Sequence, residues 1–273
     1  MGFTTLARWS NTNGAGMDML RDSIMKNHMG QFKGRWHLAI RSYRSNSLAL
    51  NPSFERSMWS IHMADVAFVL IEDPTVASRA EQLSGDNPSN AERPPHFRNT
   101  LVTVTPPNSL EQLLNQTKAP WSRTTQPLIV IDGAIFTLGT DWVIRAGNVV
   151  MPGGLVKGLL LEAEYLPLAN RPPGTASGQT AELFSNLLTS LLPVVPDAKT
   201  VAVSVSDHEW YEVLGPGNSG FEDEVEDTAP AEDDDVYAYG YPSTKDNDEW
   251  AGVDRDRKSA FMIHALLRTE GLL

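Results

Sequence analysis

Glu162 and Glu164 form the one pair in this 273-residue chain whose type and spacing could do chemistry. They stand at i and i+2 in "LLLEAEYLP". On a strand successive side chains alternate faces, so both carboxylates would project the same way, about 7 Å apart. That separation suits a divalent cation. A metal needs something to act on, and a phosphate substrate needs cations around it. The facing segment offers Arg145, while "PLIVIDGAIF" beside it offers nothing basic. The simpler expectation is a half-exposed strand with the glutamates in water and Leu159, Leu161, Ala163 and Tyr165 toward the core.

Other candidate chemistries fail on spacing. "PGGLVKG", from Pro152, lacks the Gly-x4-Gly-Lys-Ser/Thr pattern of a phosphate loop and no helix start follows it, so Pro152-Gly153-Gly154 reads as a turn. "GAG" at Gly14–Gly16 lacks the third glycine of a dinucleotide site. The six histidines, at 28, 37, 62, 96, 208 and 264, make no zinc spacing, and His37 and His62 read as strand residues. No Gly-x-Ser-x-Gly elbow occurs. The absence of cysteine excludes disulfides and thiolate catalysis and fits a reducing compartment. No metal, cofactor or catalytic residue is therefore expected.

The elements that must position these residues follow from composition and periodicity. With 41% hydrophobic and 21% charged residues the chain is an ordinary globular one, and it has neither an apolar run long enough for a bilayer nor a secretion-type N-terminus. A soluble intracellular protein without membrane contact is expected. Of the formal charge of −12, nine units sit in Glu222–Asp235, "EDEVEDTAPAEDDD", which leaves −3 for the rest. A nearly neutral body has no concentrated basic surface for nucleic acid. The nearest candidate, "RWHLAIRSYR" with Arg35, Arg41 and Arg44, reads as a strand with arginines on its wet face.

Met17, Leu20 and Ile24 recur at helical spacing between Asn13, a candidate N-cap, and Gly30, a candidate stop. Strands are predicted at Arg35–Tyr43, Met58–Met63, Val66–Glu72 and in "LVTVT", then a short helix from Ser109, a residue with capping chemistry, through Leu110, Leu113 and Leu114. Residues Ser84–Pro95 read as a polar loop. Three or four strands fill Pro127–Pro167. Leu183, Phe184, Leu187, Leu188, Leu191 and Leu192 then make one wide apolar helix face, stopped by Pro193 and Pro196. A strand "TVAVSV" and a final amphipathic helix, "DRKSAFMIHALLRTEGLL", complete the chain. The expected fold is α+β: a mostly antiparallel, β-barrel-like single domain with a few packed amphipathic helices, because closure disposes of exposed edges.

One stretch carries a family resemblance. "DWVIRAGNVVMPGGLVKGLLLEAEYLP" and "LFSNLLTSLL", with "MG-TTL" at the N-terminus, resemble subunit 20 of the Mediator complex, the RNA polymerase II coactivator. Asp141, Arg145, Gly147, Val149, Met151, Glu162, Glu164 and Tyr165 fall in the family's order: an Asp start, a K/R-x-G-x-V-x-M core, a turn, and an E-x-E-Y strand. The match is strong over about 127–192. The extra length sits in insertions at about 80–98 and 215–255 of a single domain spanning 1–273, an arrangement that points to a fungal lineage. The resemblance implies a non-enzymatic nuclear protein in the movable jaw of the Mediator head module. It implies a heterodimer with Mediator subunit 18, contact with the C-terminal segment of Mediator subunit 8 and other head-module subunits, and only indirect contact with RNA polymerase II. Seven Trp and nine Met suit interface anchors. The alternative is a metal-dependent phosphohydrolase of the tunnel-barrel triphosphatase type, using Glu162 and Glu164.

Overall fold

Alternation of apolar and polar residues builds ten strands: β1 (Phe3–Ser10), β2 (Gln31–Ser45), β3 (Ser57–Met63), β4 (Val66–Glu72), β5 (Asn99–Val104), β6 (Trp121–Arg123), β7 (Ile129–Leu138), β8 (Trp142–Met151), β9 (Leu155–Tyr165) and β10 (Lys199–Val203). The helices are α1 (Gly16–Asp22), which runs on as a π-turn over Ser23–Asn27, α2 (Arg79–Leu83), α3 (Ser109–Gln116), α4 (Ser177–Leu191) and α5 (Gly252–Thr269). This computed structural model describes residues 3–10, 12, 15–45, 55–83, 96–117, 121–123, 128–167, 177–192, 199–203, 212–213 and 252–273. Asn13, the loop Ser84–Pro95, Pro193, Pro196 and the acidic stretch Glu222–Asp235 lie outside the described residues.

The strands pair antiparallel in the order β10-β1-β9-β8-β7-β2-β3-β4-β5, with β6 added beside the end of β2. The fold is α+β, as expected, with a curled sheet that stops short of closure. One face carries Leu6, Trp36, Leu38, Ile40, Ile61, Phe68, Ile131, Val149 and Leu160 around α5. The other carries Ala7, Trp9, Phe136, Ile144, Leu159 and Leu161 beneath Leu20 of α1, Ile24 of the π-turn, and Phe184, Leu188 and Leu191 of α4. Both faces of β1, β8 and β9 are thus covered, and Leu159 to Glu164 are buried without interruption.

The final helix departs from its one-sided expectation. Lys258 to His264 are all buried, because strands from both ends of the sheet wrap around the middle of α5. His264 stacks on Trp59 of β3 at 4.5 Å, Arg268 pairs with Glu72 of β4 at 3.0 Å, and Glu270 pairs with Arg8 of β1. Arg257 Nη2 donates to the Leu101 carbonyl of β5 at 3.1 Å. A helix so enclosed fills a sheet interior as a plug rather than lying on its surface.

Three further details depart from the local reading. α3 begins at Ser109, but neither it nor Asn108 makes a side-chain cap bond in the structure. The insertion at 80–98 contains most of α2 at its start, and its end is ordered: His96 Nε2 lies 3.0 Å from the fully buried Asp73, which also accepts from Thr75 N at 3.0 Å and pairs with Arg56. Trp9, Trp36 and Trp59 are core residues, whereas Met19, Met25 and Met29 are exposed. A remote carboxylate also supplies the start of α2: Glu212 accepts from Arg79 N at 2.9 Å and Ala80 N at 2.7 Å, a capping interaction that favours negative charge at a helix start.

Gly133 and Gly147 stand opposite each other in β7 and β8. A Cβ on Gly133 would fall 1.8 Å from the Ala146 carbonyl oxygen and 2.4 Å from the Gly147 Cα. The two strand backbones meet too closely for any other residue. Gly133→Ala should destabilise the protein by about 2–3 kcal/mol in urea unfolding, the cost of forcing atoms into a packed interior.

Burial, and then the positive charge of Arg268, push His264 down from 6.5 to about 3. The folded protein therefore holds this imidazole neutral while the unfolded chain protonates it. Its stabilising contribution is complete above pH 6.5 and falls as pH drops from there toward 3, by up to about 1.4 kcal/mol per pH unit. A His264→Phe variant should show a shallower loss of stability with acid over that window, compared with the parent by chemical unfolding at each pH.

Candidate functional site

Strands β8 and β9 place three of the sequence-selected residues side by side. In the ladder Arg145 stands opposite Glu162, and Glu164 lies two positions further along the same face. That face is the one against α5, not the wet one: the Glu162 and Glu164 side chains are 0% and 6% exposed. The expectation of solvent-facing glutamates is corrected, and the reason is that α5 covers what would have been the open side of the strand.

Arg145 Nη1 reaches Glu162 Oε1 at 2.7 Å and Glu164 Oε2 at 2.8 Å. From the first turns of α5, Arg255 Nη2 bonds Glu162 Oε1 and its Nε lies 3.3 Å from Glu164 Oε2. Ser259 Oγ donates to Glu162 Oε2, so both oxygens of Glu162 are engaged. Two carboxylates thus meet two guanidiniums, with Asp256 adding a 2.5 Å contact to Arg255 on the outer side. Burial, the largest single influence on Arg255, would lower its pKa, but Glu162, Glu164 and Asp256 outweigh it and hold the guanidinium above its ordinary value. The two buried carboxylates balance the two guanidiniums, and a metal would have to displace cations already bound.

The remaining motif positions serve elsewhere. Gly147 forms the close strand contact with Gly133, and Val149 and Met151 pack into the core around α5. Asp141 lies in the β7–β8 turn, where its carbonyl accepts from Leu166 N at 2.7 Å. Tyr165 stacks on Trp142 at 4.6 Å, and Trp142 meets Phe184 of α4 edge-on at 5.2 Å. Pro152–Gly154 form the expected turn, a single exposed 3-10 turn with Gly153 at φ 81°. Arg255 and Ser259 were not singled out by sequence. Their signal was present in "DRDRKS", where basic residues open a helix whose next turns are apolar.

Among the described residues no group of three or more His, Asp or Glu side chains could hold a metal ion. A pocket of about 200 Å³ lies at Arg44, Trp59, Glu72 and Arg268, and neither Glu162 nor Glu164 lines it.

An antiparallel sheet curled about a central helix, with its inward charges neutralised by its own arginines, defines the class of this protein. The family model described as TATA-binding related factor (TRF) of subunit 20 of Mediator complex matches residues 1–217. The chain belongs to the Mediator subunit 20 family.

Among solved structures, a chain of the Schizosaccharomyces pombe Mediator head module is similar at 12% identity, with 74% of this chain and 100% of that chain covered and a TM-score of 0.36. A candidate adenylate cyclase from Vibrio parahaemolyticus is similar at 12% identity, covering 69% of this chain and 88% of that one, with a TM-score of 0.38. A candidate adenylyl cyclase from Hippeastrum with a dominant triphosphatase activity matches at 9% identity, 77% and 95% coverage and a TM-score of 0.38. At these TM-scores none of the three assigns a role to a residue of this chain. No curated protein sequence matches it.

Leaving either buried arginine without its carboxylate should be costly. Glu162→Gln should lower stability by about 3–5 kcal/mol, the usual consequence of breaking a buried ion pair from one side, as measured by urea unfolding. Glu162→Gln combined with Arg255→Met should recover part of that loss.

Proposed function

We propose that this chain works as a non-enzymatic, nuclear subunit of the Mediator head module, in the movable jaw. In this reading it binds Mediator subunit 18 directly as a heterodimer, and the C-terminal segment of Mediator subunit 8 and other head-module subunits hold that pair. RNA polymerase II is served indirectly. The family match over residues 1–217 carries the proposal.

The whole chain, 1–273, acts as one domain in this reading. In support, α5 lies beyond the second insertion yet completes the core of the same sheet. In this reading the second insertion leads into α5, whose first residue is Gly252.

The lack of catalysis draws support from the state of the carboxylate pair. Glu162 and Glu164 have the spacing of a metal-binding pair, but Arg145, Arg255 and Ser259 occupy the space and the lone pairs that a cation would use. A phosphohydrolase built on this pair would need α5 out of the way.

Co-expression with Mediator subunit 18 should give a 1:1 complex on size-exclusion chromatography, and separate elution would count against the assignment. The purified chain should release no phosphate from a nucleoside triphosphate with Mg²⁺ or Mn²⁺. Metal-dependent turnover that is lost on joint Glu162→Ala and Glu164→Ala substitution would favour the phosphohydrolase reading instead.

A further inference from the structure

The helix that fills the concave face belongs to it by contact rather than by sequence. Val213, the last described residue before α5, packs in the same core, and residues 214–251 separate it from Gly252. The family match covers residues 1–217, and α5, which begins at Gly252, lies beyond the matched residues.

The contacts of α5 have the form of a recognition interface. Its first turns place Arg255 and Ser259 on the Glu162–Glu164 pair. Its middle, from Ala260 to Leu267, supplies six residues of the apolar core. Its last turn sets Arg268 on Glu72 and Glu270 on Arg8. The charges also encode direction: a helix inserted the other way round would bring Glu270 toward two buried carboxylates. Register is coded too, because Arg255 and Ser259 stand one turn apart and grip the two oxygens of Glu162.

We propose that the concave face is a helix-recognition site and that α5 is its tethered ligand, held by the contacts that its described residues make with the sheet. The ligand class is a helix with Arg and Ser one turn apart at its start, an apolar middle, and an Arg–Glu pair at its end. The occupant is the α5 sequence itself, effective whether supplied in cis or in trans. Covalent linkage makes the binding intramolecular, which keeps the site filled in the intact chain. The inference rests on contacts within this chain and is independent of its assembly partners.

The test uses the full chain with one site-specific protease sequence placed between Asp235 and Val236. After cleavage the α5 fragment should co-elute with the body under native conditions, and the near-UV circular dichroism should be retained. Excess labelled peptide of residues 252–273 should then exchange into the site. Arg255→Ala in the peptide should weaken binding at least a hundredfold, with Arg255→Lys intermediate because it keeps the charge and loses the fork. Release of the fragment with loss of the tertiary signal, or no exchange at large peptide excess, would overturn the proposal. So would an Arg255→Ala peptide that binds as well as the parent, since register would then owe nothing to the carboxylates.

Discussion

The burial of the middle of α5 on all sides is the constraint on which the rest of this structure depends. A helix in the interior of a curled sheet can bring leucines and phenylalanines at little cost, but its arginines, serine and histidine must each be accommodated. Arg255 and Ser259 find Glu162 and Glu164, Arg257 finds a strand carbonyl, and Arg268 and Glu270 reach charges on the sheet at the helix end. His264 is answered differently, by remaining neutral against Trp59. The sheet must curl far enough for β1, β4, β5 and β9 all to reach one helix, and the glycine contact between β7 and β8 lies within that curled sheet.

Buried ion pairs are poor sources of net stability, because desolvating the charges offsets much of their attraction. Their value here lies in specificity. An apolar helix in an apolar tunnel could slide or reverse with little penalty. A helix whose arginine must meet two particular carboxylates cannot. The pair that resembles a catalytic site by spacing is therefore best understood as an address for a neighbouring element, read by a guanidinium rather than by a metal.

What the sequence disclosed follows the range of the interactions involved. The meander β7–β8–β9 was legible because its strands are consecutive and its turns short. The π-turn and Gly30 together end the first helix near where the spacing placed its stop, and α4 follows its pattern at Phe184, Leu187, Leu188, Leu191 and Leu192, while Leu183 is exposed. The pairing of β1 with β9 and β10 was not legible, since it joins segments far apart in the chain. The partner of the glutamate pair was hidden for the same reason: Arg255 lies 93 residues from Glu162, and periodicity tells a buried face from an exposed one without naming what covers it. Alternation on β9 placed the two glutamates together correctly and assigned them to water, because a one-sided strand was the simpler assumption. The second covering layer came from the far end of the chain.

The bond from Arg257 to the Leu101 carbonyl gives α5 a part in colloidal behaviour as well as in folding. Among the described residues β5 is the last strand on its side of the sheet, and an unpaired strand edge is a template on which other chains can grow. A long cationic side chain lying on that edge occupies an acceptor and puts positive charge where an incoming strand would have to seat. The helix that fills the interior thereby also guards the rim, so any event that loosens it would uncover an apolar cavity and a sticky border together.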